Sequence, residues 1–411
     1  MAAAAAPAGG STTRARPAPA PRRRGGRPGA RAEGVAGWLF VAPVLVLLGL
    51  FLVVPIVMAL WVSVSDWDGI GSPFSGDVGF VGAANYRELV AGGGLATQDF
   101  GTALRNNLWY VLLVVPLQTA VSLGLALLVG RAALRGRGFF RTAFYFPSVT
   151  SSVAITIVFL FLFSSSGVVN RLLALLRVEG PNWFADPRGV LHVVLGAVGV
   201  DAGPAVLTGN GAVGISWWDW LAGPSVAMSA LVLLAVFTTS GTFMLLFLAG
   251  LQQVSGEVLE AASVDGANAW QRFRHVTLPM LRPTLFTVLT LGLIGTWQVF
   301  DQIYTGTQGG PAKTTVTPAY LSYTTSFVSQ EWGRGAAIAF VLFAIIVTLT
   351  VVQRVLLTER DVPLRRRWRA RGGGGVGTTG SGVPAAPGGP GAPAAVTAAT
   401  TPGATSTGGT R

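Results

Sequence analysis

The chain has 411 residues, of which 51% are hydrophobic and only 11% charged, with a formal net charge of +12. A soluble domain carries about 25% charged residues, so this chain lacks the water-facing surface of a soluble globular protein. It has no cysteine and two histidines, His192 and His275, which excludes disulfides, thiolate zinc sites and cysteine nucleophiles and leaves almost no ligands for a transition metal.

Residues 1–33 are Ala, Pro, Gly and Arg without periodicity, and cannot bury a core, so a disordered basic tail is expected there. Arg22-Arg23 before an apolar run resembles a twin-arginine export signal. The run that follows, Trp38 to Val64, covers 27 residues, too long for a signal-peptide core of roughly 7–15, and reads as a first transmembrane helix.

Further apolar spans follow at about 108–129, 144–163, 224–250, 284–305 and 336–357. Each meets the roughly 20 residues that a 30 Å hydrocarbon core demands, and each must be helical because lipid offers no hydrogen-bond partner to a backbone. The expected fold is therefore all-α and polytopic, with about six transmembrane helices in a membrane domain over 34–358. A seventh apolar run, Gly189 to Val200, is too short to span and reads as part of an outer loop.

Arginine orients the chain. Arg131, Arg135, Arg137 and Arg141 lie between spans two and three, and Arg272, Arg274 and Arg282 between spans four and five. Arg360, Arg365, Arg366, Arg367, Arg369 and Arg371 follow span six, whereas 65–104 carries five acids against Arg87 alone. Both termini are thus expected in the cytoplasm of a multi-pass protein in a bacterial plasma membrane. This clustering beside apolar runs assigns the positive charge to membrane topology and not to nucleic acid. From 359 onward the chain is basic and then rich in Gly, Pro, Ala and Thr, the composition of a flexible tail.

The stretch EAASVDGANAWQRFRHVTLP (260–279) is polar where its surroundings are apolar. Ser255 can cap a helix starting near Glu257, and Ala261 and Ala262 keep one face low. Gly266 can take positive φ, and Asp265 can hydrogen-bond into the turn it opens. Trp270, Phe273 and Val276 then form one stripe, and Pro279 is expected to push Leu278 out of the helical region and end the element. On these grounds alone the stretch is either an interfacial amphipathic hairpin or a low-profile docking knob on the cytoplasmic face.

The residues Glu260, Ala261, Ala262, Asp265, Gly266, Ala267, Phe273, Leu278 and Pro279 resemble the EAA motif of ABC-transporter permease subunits. FVGAANYREL (80–89), RGFFRTAFYFP (137–147), FLAGLQQV (247–254) and FDQIYTGTQGGP (300–311) look like the maltose-type carbohydrate-uptake branch of that family. The resemblance covers about 38–358 and departs between Trp183 and Pro224, where NWFADP is echoed by SWWDWLAGP. It implies that those nine residues form a cytoplasmic coupling helix-turn-helix seated in a separate ABC ATPase dimer, which uses ATP-Mg. It further implies a second homologous permease, an extracytoplasmic solute-binding protein and a sugar or small-oligosaccharide substrate. A permease of the same class for another solute, such as a glycerol-phosphate compound, and an ion-coupled secondary transporter are the alternatives.

The only lysine, Lys313, lies in TGTQGGPAKT (305–314). A Walker A loop needs Gly directly before that Lys, and Ala312 stands there, so no cofactor is expected on this chain and the ATPase must be a partner. Span five carries Trp297, Asp301 and Tyr304 at i, i+4 and i+7, with Gln298 and Gln302 beside them. That grouping suits stacking and hydrogen bonding to a sugar in a translocation path; the alternative is an aromatic belt at the outer interface. Thr238, Thr239, Ser240 and Thr242 in span four either line a path or tie helices together. No catalytic serine or carboxylate pair stands out, so the chain is not expected to be an enzyme, nor to hold a metal.

Overall fold

The computed structural model describes residues 30–131, 134–200, 202–209 and 211–357, so the tails at 1–29 and 358–411 lie outside the described residues. The chain is mostly helical. Helix α1 (Ala30–Leu48) starts inside the expected tail and runs through a π turn (Gly49–Val53) into α2 (Val54–Ser63). Its apolar stretch is uncovered by this chain until Val62 and Ser63, which are buried where α2 packs on the last helix.

After a short helix α3 (Ala84–Ala91) comes α4 (Leu95–Val129). Its buried positions Phe100, Ala103, Asn107, Tyr110, Val114, Gln118, Ser122, Ala126 and Val129 recur every three or four residues, one face of a helix. Next come α5 (Arg137–Val149) and α6 (Ser152–Leu162), joined through extended backbone at Thr150 and Ser151 with a bend of 99°.

Residues 164–225 form a folded excursion with α7 (Val168–Leu175), α8 (Val190–Ala197), α9 (Ala205–Thr208), a hairpin of β1 (Gly211–Ala212) and β2 (Ile215–Ser216), and α10 (Trp217–Trp220). At eight residues, α8 is too short to span. The excursion closes at its base: Val190 N donates to Pro224 O (2.8 Å) and Val226 N to Arg188 O (3.1 Å), while Arg188 pairs with Asp186 at 2.7 Å. Trp109 Nε1 donates to Trp220 O at 2.9 Å, seating the excursion on the start of α4.

Helix α11 (Val226–Gln252) is the centre of the bundle, with Met228, Leu231, Leu234, Met244 and Phe247 fully buried. Tyr110 and Val114 of α4 join its first half, and Ala126 and Val129 its second half, so the two helices run in the same direction. The remaining helices are α12 (Gly256–Val264), α13 (Ala269–Arg272), α14 (Leu278–Met280), α15 (Arg282–Trp297), α16 (Asp301–Gly306), α17 (Pro318–Tyr323) and α18 (Trp332–Leu357). Among the described residues, four helical stretches are long and apolar enough to cross a membrane, or up to six if each of two bent pairs counts as one span.

Two expectations are corrected. Leu278 keeps helical angles (φ −63, ψ −43) although Pro279 follows it, because the π turn Phe273–Thr277 donates Leu278 N to Phe273 O and relaxes the ladder where Pro would clash. The break falls at Leu281 (ψ −1), fully buried, where the chain bends by 69°. The second is that the fifth span does not run on to residue 305 as one helix. It stops at Trp297, unwinds through Gln298 and Phe300 (φ −136), and restarts at Asp301.

Between α16 and α17 lies a loop with positive φ at Gln308 (49°), Ala312 (46°) and Lys313 (61°), a conformation costly for residues with a Cβ. Asn106 holds it: Nδ2 donates to Lys313 O (2.9 Å) and Val316 O (3.0 Å). Replacing Asn106 by Leu takes this donor from Val316 O and leaves Lys313 O only the longer bond from Val316 N (3.3 Å), at about 1–3 kcal/mol for a buried group left unpaired. Since Lys313 is the only lysine, a lysine-specific protease reads this loop alone. Native-state cleavage after Lys313 should speed up about tenfold in Asn106→Leu, the factor set by ~1.4 kcal/mol of easier opening.

Candidate coupling hairpin and translocation cavity

The stretch 256–280 is a helix-turn-helix that carries no buried residue on α12 or α13. Helix α12 ends in a Schellman motif: Ala267 N donates to Ala262 O (3.0 Å) and Gly266 N to Ser263 O (3.1 Å). Gly266 has φ +81 with no heavy atom within 4 Å of a built Cβ, so the backbone, and not crowding, requires glycine. Asn268 and Gln271 form a capping box at the start of α13, a signal in N-x-x-Q that sequence reasoning passed over. Arg272 Nη1 donates to Ser263 Oγ and ties the two helices together. Ser255 is the N-cap of α12, but its side chain makes no capping bond.

Glu260, Ala261, Asp265 and Gly266 are exposed, and Ala262, Ala267, Phe273, Leu278 and Pro279 half-buried. Trp270 stacks obliquely on Phe273, with ring centres 5.5 Å apart. Val264 (89% exposed) and Trp270 (64%), the latter touching only the Phe273 ring on one side, leave an apolar surface largely uncovered among the described residues. The hairpin is rooted by buried Thr277 and Leu281.

The unwound segment 298–300 borders a cavity of about 280 Å³ whose walls include Gln298, Asp301 and Gln302. Helix α4 contributes Tyr110 and Gln118, α11 contributes Thr239, and α6 contributes Ser152. Tyr110 Oη and Gln302 Oε1 lie 3.0 Å apart in a hydrogen bond, and Thr239 Oγ1 donates to Gln118 Oε1 at 2.8 Å. Irregular backbone at membrane depth is tolerated only where protein or a polar cavity satisfies it. Here Asn107 Nδ2 donates to Trp297 O (3.3 Å), and Thr317 Oγ1 donates to Val299 O (3.1 Å).

The break divides the five residues expected on one helical face. Trp297 turns into a core cluster with Val111, Leu342 and Ile346 and is 2% exposed. Gln298, Asp301 and Gln302 face the cavity, and Tyr304 packs on Phe300 and Tyr323 at 5.4 and 5.5 Å. Gln118 was missed, although a buried glutamine in an apolar run is itself a signal of a functional interior. Thr239 adjoins a second cavity of about 300 Å³, lined with Ser148, Thr150, Thr238 and Thr242.

A bundle of membrane-length helices with a polar cavity at an unwound segment, and a protruding hairpin clear of its core, is the architecture of a membrane transport subunit. Residues 122–359 match the binding-protein-dependent transport system inner membrane component family. The chain belongs to that family, whose members are permeases and not enzymes. It is similar to the lactose transport system permease protein LacF of Rhizobium radiobacter, with 31% identity over 80% of this chain and 96% of that protein. It is also similar to the trehalose/maltose transport system permease protein MalF of Thermococcus litoralis, with 27% identity over 78% and 92% of the two chains. Among solved structures, a bacterial ABC transporter involved in the import of the acidic polysaccharide alginate shares the fold, with a TM-score of 0.60 at 17% identity over 81% of this chain and 99% of that one.

Proposed function

We propose that this chain is one permease subunit of an ABC importer for a sugar or small oligosaccharide. In this reading it crosses the membrane six times, each bent pair making one span, with both termini and the hairpin in the cytoplasm where the arginines gather. A cytoplasmic ATPase dimer using ATP-Mg grips the hairpin through Glu260, Ala261, Ala262, Asp265, Gly266 and Ala267, with Val264 and Trp270 as apolar anchors. A second, homologous permease completes the path, and an extracytoplasmic binding protein delivers substrate. The relatives named for lactose and for trehalose and maltose support a sugar cargo.

Substrate passes Gln118, Thr239, Gln298, Asp301 and Gln302. No covalent step is needed; ATP binding next door moves the hairpin, and the rigid α12–α13 unit passes that motion to α15 through Leu281. The observation that carries this reading is a hairpin whose turn is capped within itself and whose helices α12 and α13 bury no residue, with apolar side chains on its outside.

The test is co-purification in detergent of wild type and Gly266→Pro. Proline's φ near −65° cannot meet +81°, so the Schellman turn is lost while the buried bundle is untouched. Wild type should retain an ATPase subunit, and the variant should insert normally and lose it. A Gly266→Pro protein that retains the ATPase and its stimulated turnover rejects the coupling role.

A further inference from the structure

The charge inventory of the cavity is narrower than its size suggests. Three amides (Gln118, Gln298, Gln302), with the hydroxyls of Ser152 and Thr239, line its polar wall, and Asp301 is the single ionisable group among them apart from the Tyr110 phenol. The adjoining cavity shares Ser152 and Thr239 and is lined by hydroxyls, prolyl and phenyl groups with no charge at all. Asp301 is exposed and has no ion-pair partner among the described residues. Lys313 and Arg334 line a different cavity, and each is already paired: Lys313 with Asp99 at 2.6 Å, Arg334 with Glu88 at 3.1 Å and Glu331 at 2.7 Å.

The free hydrogen-bonding capacity favours neutral hydroxyls. Thr239 occupies Gln118 Oε1, which leaves Gln118 Nε2 buried without a partner, in the space that a Cβ on Gly292 would need. Tyr110 occupies Gln302 Oε1 in the same way and leaves its amide N–H groups to donate. The Gln302 amide is thus a neutral donor suited to one sugar oxygen, whereas Gln118 Nε2 is closed off against Gly292. An anion entering here would meet no cation among the described residues lining the cavity and would face a carboxylate.

We propose that this cavity admits uncharged polyhydroxylated substrates and excludes anionic ones, uronates and sugar phosphates alike, with Asp301 as its charge-selective group. The inference rests on the reading that the cavity lies on the substrate path. It separates neutral sugars from the glycerol-phosphate class, which the sequence alone left open.

The sequence has no cysteine, so Gln298→Cys and Thr239→Cys each carry one thiol in the full-length chain. In the detergent-purified transporter, each would react with a cationic (trimethylammonium-ethyl) and an anionic (sulfonatoethyl) methanethiosulfonate, with rates normalised to 2-mercaptoethanol. The cationic reagent should lead by about tenfold at Gln298→Cys, the effect of one unit charge several ångströms away in a wet cavity. Adding Asp301→Asn should bring the ratio close to one. Equal rates with Asp301 in place, or a lead unchanged by Asp301→Asn, overturns the charge selection while leaving the path reading intact. Two thiols that resist both reagents until the protein is denatured would reject the path reading, and the inference with it.

Discussion

Gly241→Ala should destabilise the bundle by about 3 kcal/mol, at the upper end of the usual cost of overpacking. Gly241 lies midway along α11, and a Cβ there would collide with the Phe144 carbonyl oxygen, sit 2.7 Å from Ser148 Oγ and lie 2.8 Å from Tyr145 Cα. Two of those three atoms are backbone, so no rotamer change relieves the contact; α5 must move off α11. Small residues at helix crossings are what let backbones approach in lipid, where no hydrophobic force holds helices together. The measurement is thermal unfolding in detergent, with a midpoint lower by roughly 3–5 °C. Gly124→Ala is the matched control, since nothing lies within 4 Å of its Cβ; removing a glycine from a helix interior there gains up to ~1 kcal/mol. Equal midpoints for the two variants would show that α5 and α11 are not packed as described.

Both outcomes turn on a contact between residues about a hundred positions apart, and sequence has no local sign for that. The hairpin was legible because its determinants are local. Gly266 after a helical run, Trp270 and Phe273 three apart, and the polar break between apolar runs all act within one turn or two of their own position. The spans were legible for the same reason, since length and hydropathy are local quantities. Pro279 misled because a π turn four residues earlier absorbs it, and single-residue proline rules do not see such a turn coming.

Span five misled for a related reason. A 3.6-residue period was drawn through Trp297, Asp301 and Tyr304, but the helix unwinds between the first and second. The cause of the break is distant: Asn107 and Thr317 supply the hydrogen bonds that let 297–299 leave the helix. The cavity partners Tyr110, Gln118 and Thr239 likewise come from α4 and α11. Of these only Thr239 stood out in the sequence as a polar group in an apolar run; nothing local to Tyr110 or Gln118 says that they would meet it.

Trp297→Ala should cost about 3–5 kcal/mol, the range for deleting a large buried aromatic ring. The indole is 2% exposed among Val111, Leu342 and Ile346, and neighbours on α4 and α18 cannot collapse into the void without tearing their own contacts. Trp297→Phe separates packing from polarity. The indole Nε1 is buried and finds no acceptor, so phenylalanine fills most of the volume and removes an unpaired donor, and should cost less than ~1 kcal/mol. Transport then decides the residue's role. A ring that only packs predicts near wild-type uptake in Trp297→Phe, whereas Gln298→Ala, at an exposed position whose side chain makes no hydrogen bond among the described residues, should leave the midpoint unchanged and weaken substrate handling. The reverse pattern, a stable Trp297→Phe that no longer transports beside a fully active Gln298→Ala, would return Trp297 to the path and move the cavity's working wall to the other face of the break.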